Sequence, residues 1–164
     1  MAIFSATIEG GLALRRNVHA LSLMFPEVLR AANEITAADV VAEAQRNVRE
    51  NDSIASGDLY NSIQSEVSPD GLSVAVGSTS EYAPHVEFGT RPHFPPLEAI
   101  RAWCRLKGIP DAAAYPICLK IAEKGTPEQA FLYPASVTAR RRHMDRVRTM
   151  LTAAIRGIGS GGKG

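Results

Sequence analysis

The feature that most constrains this chain is a change of hydrophobic period between residues 48 and 63. Before it, Val28, Ala32, Ile35, Val41, Ala44 and Val48 recur at near-helical spacing, which predicts one long amphipathic helix over residues 26–49. After it, Ile63, Ser65 and Val67 alternate with Gln64, Glu66 and Ser68, the period of a strand. Pro69-Asp70-Gly71 then supplies a turn: Pro presets φ, Asp bonds its own backbone, and Gly accepts φ > 0. Leu72, Val74 and Val76 return as the second strand, ending at Gly77. A long helix followed at once by a tight hairpin predicts an α+β fold.

The remaining punctuation fills in the rest. Residues 2–8 read as a short strand stopped by Gly10-Gly11, and residues 12–23 as a short helix ending before Pro26. Ser56-Gly57-Asp58 reads as a cap opening one turn, and residues 81–96 as a shaped loop with a turn of helix. Residues 96–107 predict a helix with Leu97, Ile100, Trp103 and Cys104 on one face. Asp111 is placed to cap a second helix carrying Ala114, Ile117, Cys118 and Ile121, closed by Gly125. Residues 131–133 read as an edge strand. Pro134 then starts a last helix with the stripe Val137, Met144, Val147, Leu151, Ala154 and Ile158. The whole is one domain over residues 1–158 with a flexible glycine-rich tail at 159–164. Its expected architecture is a small, mainly antiparallel sheet packed by a long N-terminal helix and a C-terminal helix, with a two-helix insertion.

At 164 residues, with 45% apolar and 21% charged residues, the chain can bury a core without metals or disulfides. Cys104 and Cys118 fit neither a CxxC pair nor a zinc finger and read as reduced core thiols. The first residues lack the pattern of a signal peptide, and no apolar run approaches the roughly 20 residues of a membrane span. No cofactor, metal or membrane partner is expected, and the protein is expected in a reducing cytosol.

Motifs for catalysis are weak. Gly157, Gly162 and Lys163 mimic part of a phosphate loop, but a helix precedes them and Gly164 stands where Ser or Thr must bind Mg²⁺. The histidines, His19, His85, His93 and His143, lack metal-ligand spacing, although His85 and Glu87 would share a face on a strand. Asp39 and Glu43, one helical turn apart, read as solvated charges. Six arginines (Arg140, Arg141, Arg142, Arg146, Arg148 and Arg156) stand against the single acid Asp145, a positive helix face in a chain whose net charge is only +1. Such a face either stays solvated and keeps the helix soluble, or meets an acidic protein surface or DNA phosphates. No aromatic residues interleave with it, which argues against base stacking.

Three segments together resemble one family. Ser56-Gly57-Asp58-Leu59-Tyr60-Asn61-Ser62-Ile63 is similar to the [TS]-G-x-L-x-x-S-I signature of phage neck and tail-completion proteins, found among lambda-like siphophages and prophages. Tyr82-Ala83-Pro84-His85-Val86-Glu87-Phe88-Gly89-Thr90 resembles its Y-A-x-x-V-E-F-G-T motif, and Phe131-Leu132-Tyr133-Pro134-Ala135 its F-[LM]-x-P-A motif. Ala130 stands where the family usually has Pro, and 51–55 lacks its usual Pro. The resemblance implies a non-enzymatic virion protein at the head–tail junction, assembled in the host cytoplasm. It would be a ring of six copies joining the head connector to the tail tube or its terminator, with passing contact with phage DNA. The rival roles are a tail terminator capping the tube and, in another class, a small DNA-binding protein using the basic helix.

The motif residues have architectural readings: Ser56 caps, Gly57 allows close approach, Leu59 and Ile63 anchor the hairpin, and Ser62, Tyr82, Phe131 and Pro134 complete the frame. Glu87, in an apolar run, needs a partner if buried, and Arg91 or an arginine of the last helix is the expected one. Gly89 is expected to turn the loop with φ > 0. Phe88, Gly89, Thr90, Arg91, His93 and Phe94 are the expected subunit or partner interface, since exposed aromatics with Arg are common anchors.

Overall fold

The structure is a computed structural model, and it describes residues 11–51 and 57–160. The elements run α1 (Gly11–Glu50), α2 (Asp58–Ser62), β1 (Ile63–Val67), β2 (Val74–Ser78), α3 (Ala83–Phe88), α4 (Leu97–Leu106), α5 (Ala114–Lys124) and α6 (Leu132–Ser160). A single 3₁₀ turn, Asp111–Ala113, leads into α5. The fold is α+β and mostly helical, with one two-stranded antiparallel sheet among the described residues.

Helix α1 is the spine. It does not restart at Pro26, as the sequence suggests, but runs through it. An interior proline forfeits one backbone hydrogen bond and costs about 3 kcal/mol in an isolated helix. Around the proline, Leu21, Phe25 and Pro26 lie across a shallow groove from Leu151 and Ile155 of α6. The two helices run antiparallel, since Asn47 donates to the Phe131 carbonyl while Asp39 meets Arg146. At 1.5 Å per residue, α1 spans about 60 Å and α6 about 43 Å.

The core lies where these helices meet the hairpin. Val40, Ala44 and Val48 of α1 pack with Leu59, Ile63 and Ala83, and with Phe131, Ala135 and Ala139 of α6. Three alanines at this crossing let the backbones approach closely. The α6 stripe expected from sequence is therefore displaced. Ala135 and Ala139 are buried, whereas Val137 and Met144 face outward. Ile35 of α1 is exposed for the same reason.

The hairpin is present, with Ile63 opposite Ser78 and Val67 opposite Val74. Its loop is longer than the sequence suggests: Leu72 is exposed and lies outside the strand, and the return strand ends at Ser78. Arg30 and Asn33 of α1 donate to the carbonyls of Pro69 and Gly71, at 2.6 and 2.7 Å. The hydroxyl of Ser68 and the N–H of Leu72 hold the Asp70 carboxyl below the ordinary carboxylate range. Gly71, at φ +74, sits so close to α1 that a Cβ there would lie 2.8 Å from Arg30 Cβ.

Two further expectations change. Residues 131–133 are no edge strand; they open α6, and Pro134 falls inside its first turn. Asp111 makes no cap bond, and instead faces Arg101 and Arg105 at 3.8 and 3.6 Å. The two expected helices are present as α4 and α5, with Cys104 and Cys118 both free and buried in them. The expected strand at 2–8, Ser56 and residues 161–164 lie outside the described residues. No helix among the described residues is long and apolar enough to cross a membrane.

Candidate functional site

The motif residues build one frame around Glu87. This carboxylate is 7% exposed, and its partner is no arginine. Its Oε2 accepts the backbone N–H groups of Phe131 and Leu132 at 2.8 and 2.9 Å, and its Oε1 accepts that of Tyr133 at 2.8 Å. The first four N–H positions of a helix have no acceptor within it. At α6 three of them point at one carboxylate, and the fourth is Pro134, which has no N–H to satisfy. The negative charge also faces the positive end of the helix dipole. Glu87 thus latches the second motif to the third across 44 residues of chain. His85 does not share its face: the segment is helical, so His85 is exposed while Glu87 is buried.

Beside the latch, two backbone stretches cross at contact distance. Thr90 and Thr126 exchange both N–H···O=C bonds, at 3.0 and 3.2 Å, and their hydroxyls lie 3.0 Å apart. Gly89 and Gly125, at φ +66 and +72, make the approach possible, because a Cβ on either would strike the other strand's backbone. Of the interface residues expected from sequence, Gly89 and Thr90 therefore stand in the frame. Phe88 (76% exposed), Arg91, His93 and Phe94 face outward, and Phe94 leans on Tyr115 with ring centroids 6.3 Å apart. His93 keeps Nδ1 2.9 Å from the Arg91 carbonyl.

The remaining motif positions are structural in their contacts. Leu59 and Ile63 are buried. Gly57 takes φ +83 at the start of α2. The Ser62 hydroxyl donates to the Leu59 carbonyl at 2.8 Å and lies 2.6 Å from the Ser78 hydroxyl. Tyr82 precedes α3 and is exposed.

The basic face of α6 is smaller than its arginine count. Arg146 turns inward, where it pairs with Asp39 and donates to the Thr36 hydroxyl at 2.7 Å; His143 Nδ1 lies 2.9 Å from that same hydroxyl. Asp39 is thus no solvated charge, while Glu43 pairs with Arg46 on the surface. Sequence could not reveal this pairing, because Asp39 and Arg146 are 107 residues apart. Arg140, Arg141, Arg142, Arg148 and Arg156 remain exposed. Arg146→Ala should lower stability by roughly 1–2 kcal/mol, while Arg141→Ala should stay within about 0.5 kcal/mol. Paired urea titrations separate the two.

A groove of about 700 Å³ opens between α6, β2 and α3. Val40, Val76 and Phe131 line its floor, and Phe88, Tyr133 and Arg140 its rim. Among the described residues no cluster of three or more His, Cys, Asp or Glu could hold a metal ion.

Residues 13–89 match the family described as "Bacteriophage HK97-gp10, putative tail-component". The match covers just under half of the chain, and a putative tail component fits the resemblance to phage neck and tail-completion proteins. The match takes in α2, the hairpin and α3 up to Gly89, including the carboxylate half of the latch. No curated protein and no solved structure matches the chain.

Proposed function

We propose that this chain is a neck or tail-completion protein, a ring-forming component that joins the tail to the head connector without chemical catalysis. The observation carrying this reading is the tail-component match over residues 13–89, joined to a fold whose large apolar side chains face outward. Phe88 and Tyr133, 76% and 69% exposed, rim the same groove, and contiguous exposed apolar surface marks interaction sites. Repeated heterologous contacts between such patches close a ring when the rotation between copies closes.

Deleting the gene in the phage or lysogen that encodes it, followed by electron microscopy of the lysate, tests the role. DNA-filled heads beside separate tails of normal length support neck completion. Overlong tails would assign the terminator role instead, and normal infectious particles would overturn both. Phe88→Asp or Arg91→Glu should leave the circular dichroism of the monomer unchanged and block assembly, because both side chains lie outside the core.

One observation favours a second reading: five arginines of α6 are exposed with a single acid, Asp145, among them. Contact with DNA through that face predicts affinity that falls steeply with salt, with a slope near the number of phosphates neutralised. No binding at low salt would dispose of it.

A further inference from the structure

Helix α6 carries two apolar rows, and the chain buries only one. Tyr133, Val137 and Met144 follow one another on its outer side, all exposed, and Tyr133 also borders the groove. Arg141 and Arg148 flank this row, and neither side chain has a hydrogen bond or ion pair among the described residues. Helix α1 has a matching outer face. Met24, Ala31, Ile35, Ala38 and Ala42 follow a heptad-like spacing away from the core, with Met24 and Ile35 exposed. Glu27 and Glu34 flank it, likewise without partners among the described residues.

From this we infer that the outer face of α1 in one copy docks along the outer row of α6 in the next. The charges select this pairing. Over the stretch 24–42 of α1, an α6 row against its own copy would oppose arginine to arginine, and α1 against α1 would oppose glutamate to glutamate, whereas α1 against α6 opposes unlike charges. Glu27 and Glu34 lie seven residues apart, as do Arg141 and Arg148. Each pair spans two helical turns, about 10.5 Å, so one register serves both. The contact joins two different patches, so it propagates from copy to copy and does not stop at a dimer. The inference rests on the ring proposed above and names the surfaces that would close it.

Charge exchange in the encoding phage tests it, using the full-length chain. Arg141→Glu with Arg148→Glu should abolish infectious particles, and so should Glu27→Lys with Glu34→Lys. Each purified variant should keep the wild-type circular dichroism, since all four side chains are exposed. All four changes in one chain should restore particles. If either reversed pair is harmless, or the fourfold variant stays defective, the contact is wrong. Loss with the arginine pair alone would mean that the α6 face meets another acidic partner. Immunoblotting of purified wild-type particles separates this outcome from failure of the functional reading. Several copies per particle with no effect of charge reversal would remove only this surface; absence of the chain from particles would remove the proposed role itself.

Discussion

Replacing Glu87 with alanine should cost about 3 kcal/mol of folding stability, a large share of the roughly 5–15 kcal/mol that holds a domain together. The substitution strips the acceptor from the Phe131, Leu132 and Tyr133 N–H groups at once and leaves the α6 terminus without its counter-charge. A single helix cap is worth typically about 1 kcal/mol, and hydrogen bonds to a charged group about 1.5–3. Glu87→Gln keeps one acceptor oxygen but turns an NH₂ toward other donors, so about half the loss should remain. Urea denaturation reads this as a lower midpoint with an unchanged slope. A loss below about 0.5 kcal/mol for the alanine variant would mean that water replaces the carboxylate without penalty.

The second large effect belongs to the glycines, and it should separate backbone strain from steric conflict. Gly77→Ala introduces neither, because nothing lies within 4 Å of the new Cβ and its φ is not positive, so stability should stay within about 0.5 kcal/mol. Gly108→Ala adds only the left-handed backbone at φ +69, for about 1–2 kcal/mol. Gly125→Ala combines φ +72 with a Cβ placed 1.9 Å from the Thr90 carbonyl oxygen, so the crossing must come apart. Its cost should reach about 4 kcal/mol, the size reserved for a specific structural break. Thermal melts of the three variants in one buffer give the order directly. Equal losses at Gly108 and Gly125 would mean that the crossing yields without resistance.

What the sequence made legible was local. The hairpin could be read because its turn chemistry and its alternation lie within sixteen residues, 63–78. The helix at 97–106 and its stop near Gly108 were readable for the same reason. Errors arose where distant segments decide. Phe131-Leu132-Tyr133 has the composition of a strand, and only a carboxylate 44 residues earlier makes it a helix start. Pro26 looks like a beginning until α6 is known to lie alongside it. Glu87 could be flagged as a buried charge in search of a partner, yet backbone N–H groups carry no signature in side-chain sequence. The misread stripe of α6 has another cause. Val137 and Met144 do carry core-like periodicity, and the chain leaves them uncovered. Periodicity records that a face is apolar, without recording what covers it.

The Thr90–Thr126 crossing also sets how freely this protein can vary. Two residues that exchange both backbone hydrogen bonds bring their Cα atoms to about 5.5 Å. Everything between them, α4 and α5 included, therefore leaves and re-enters the body at a single point, like a drawer on its own runner. Apart from those ends, it meets the body along an apolar seam, where Ile100, Trp103, Ile117 and Ile121 face His85 and Val86 of α3. A replacement of another length should leave the latch, the hairpin and the long helices in place as long as it covers that seam.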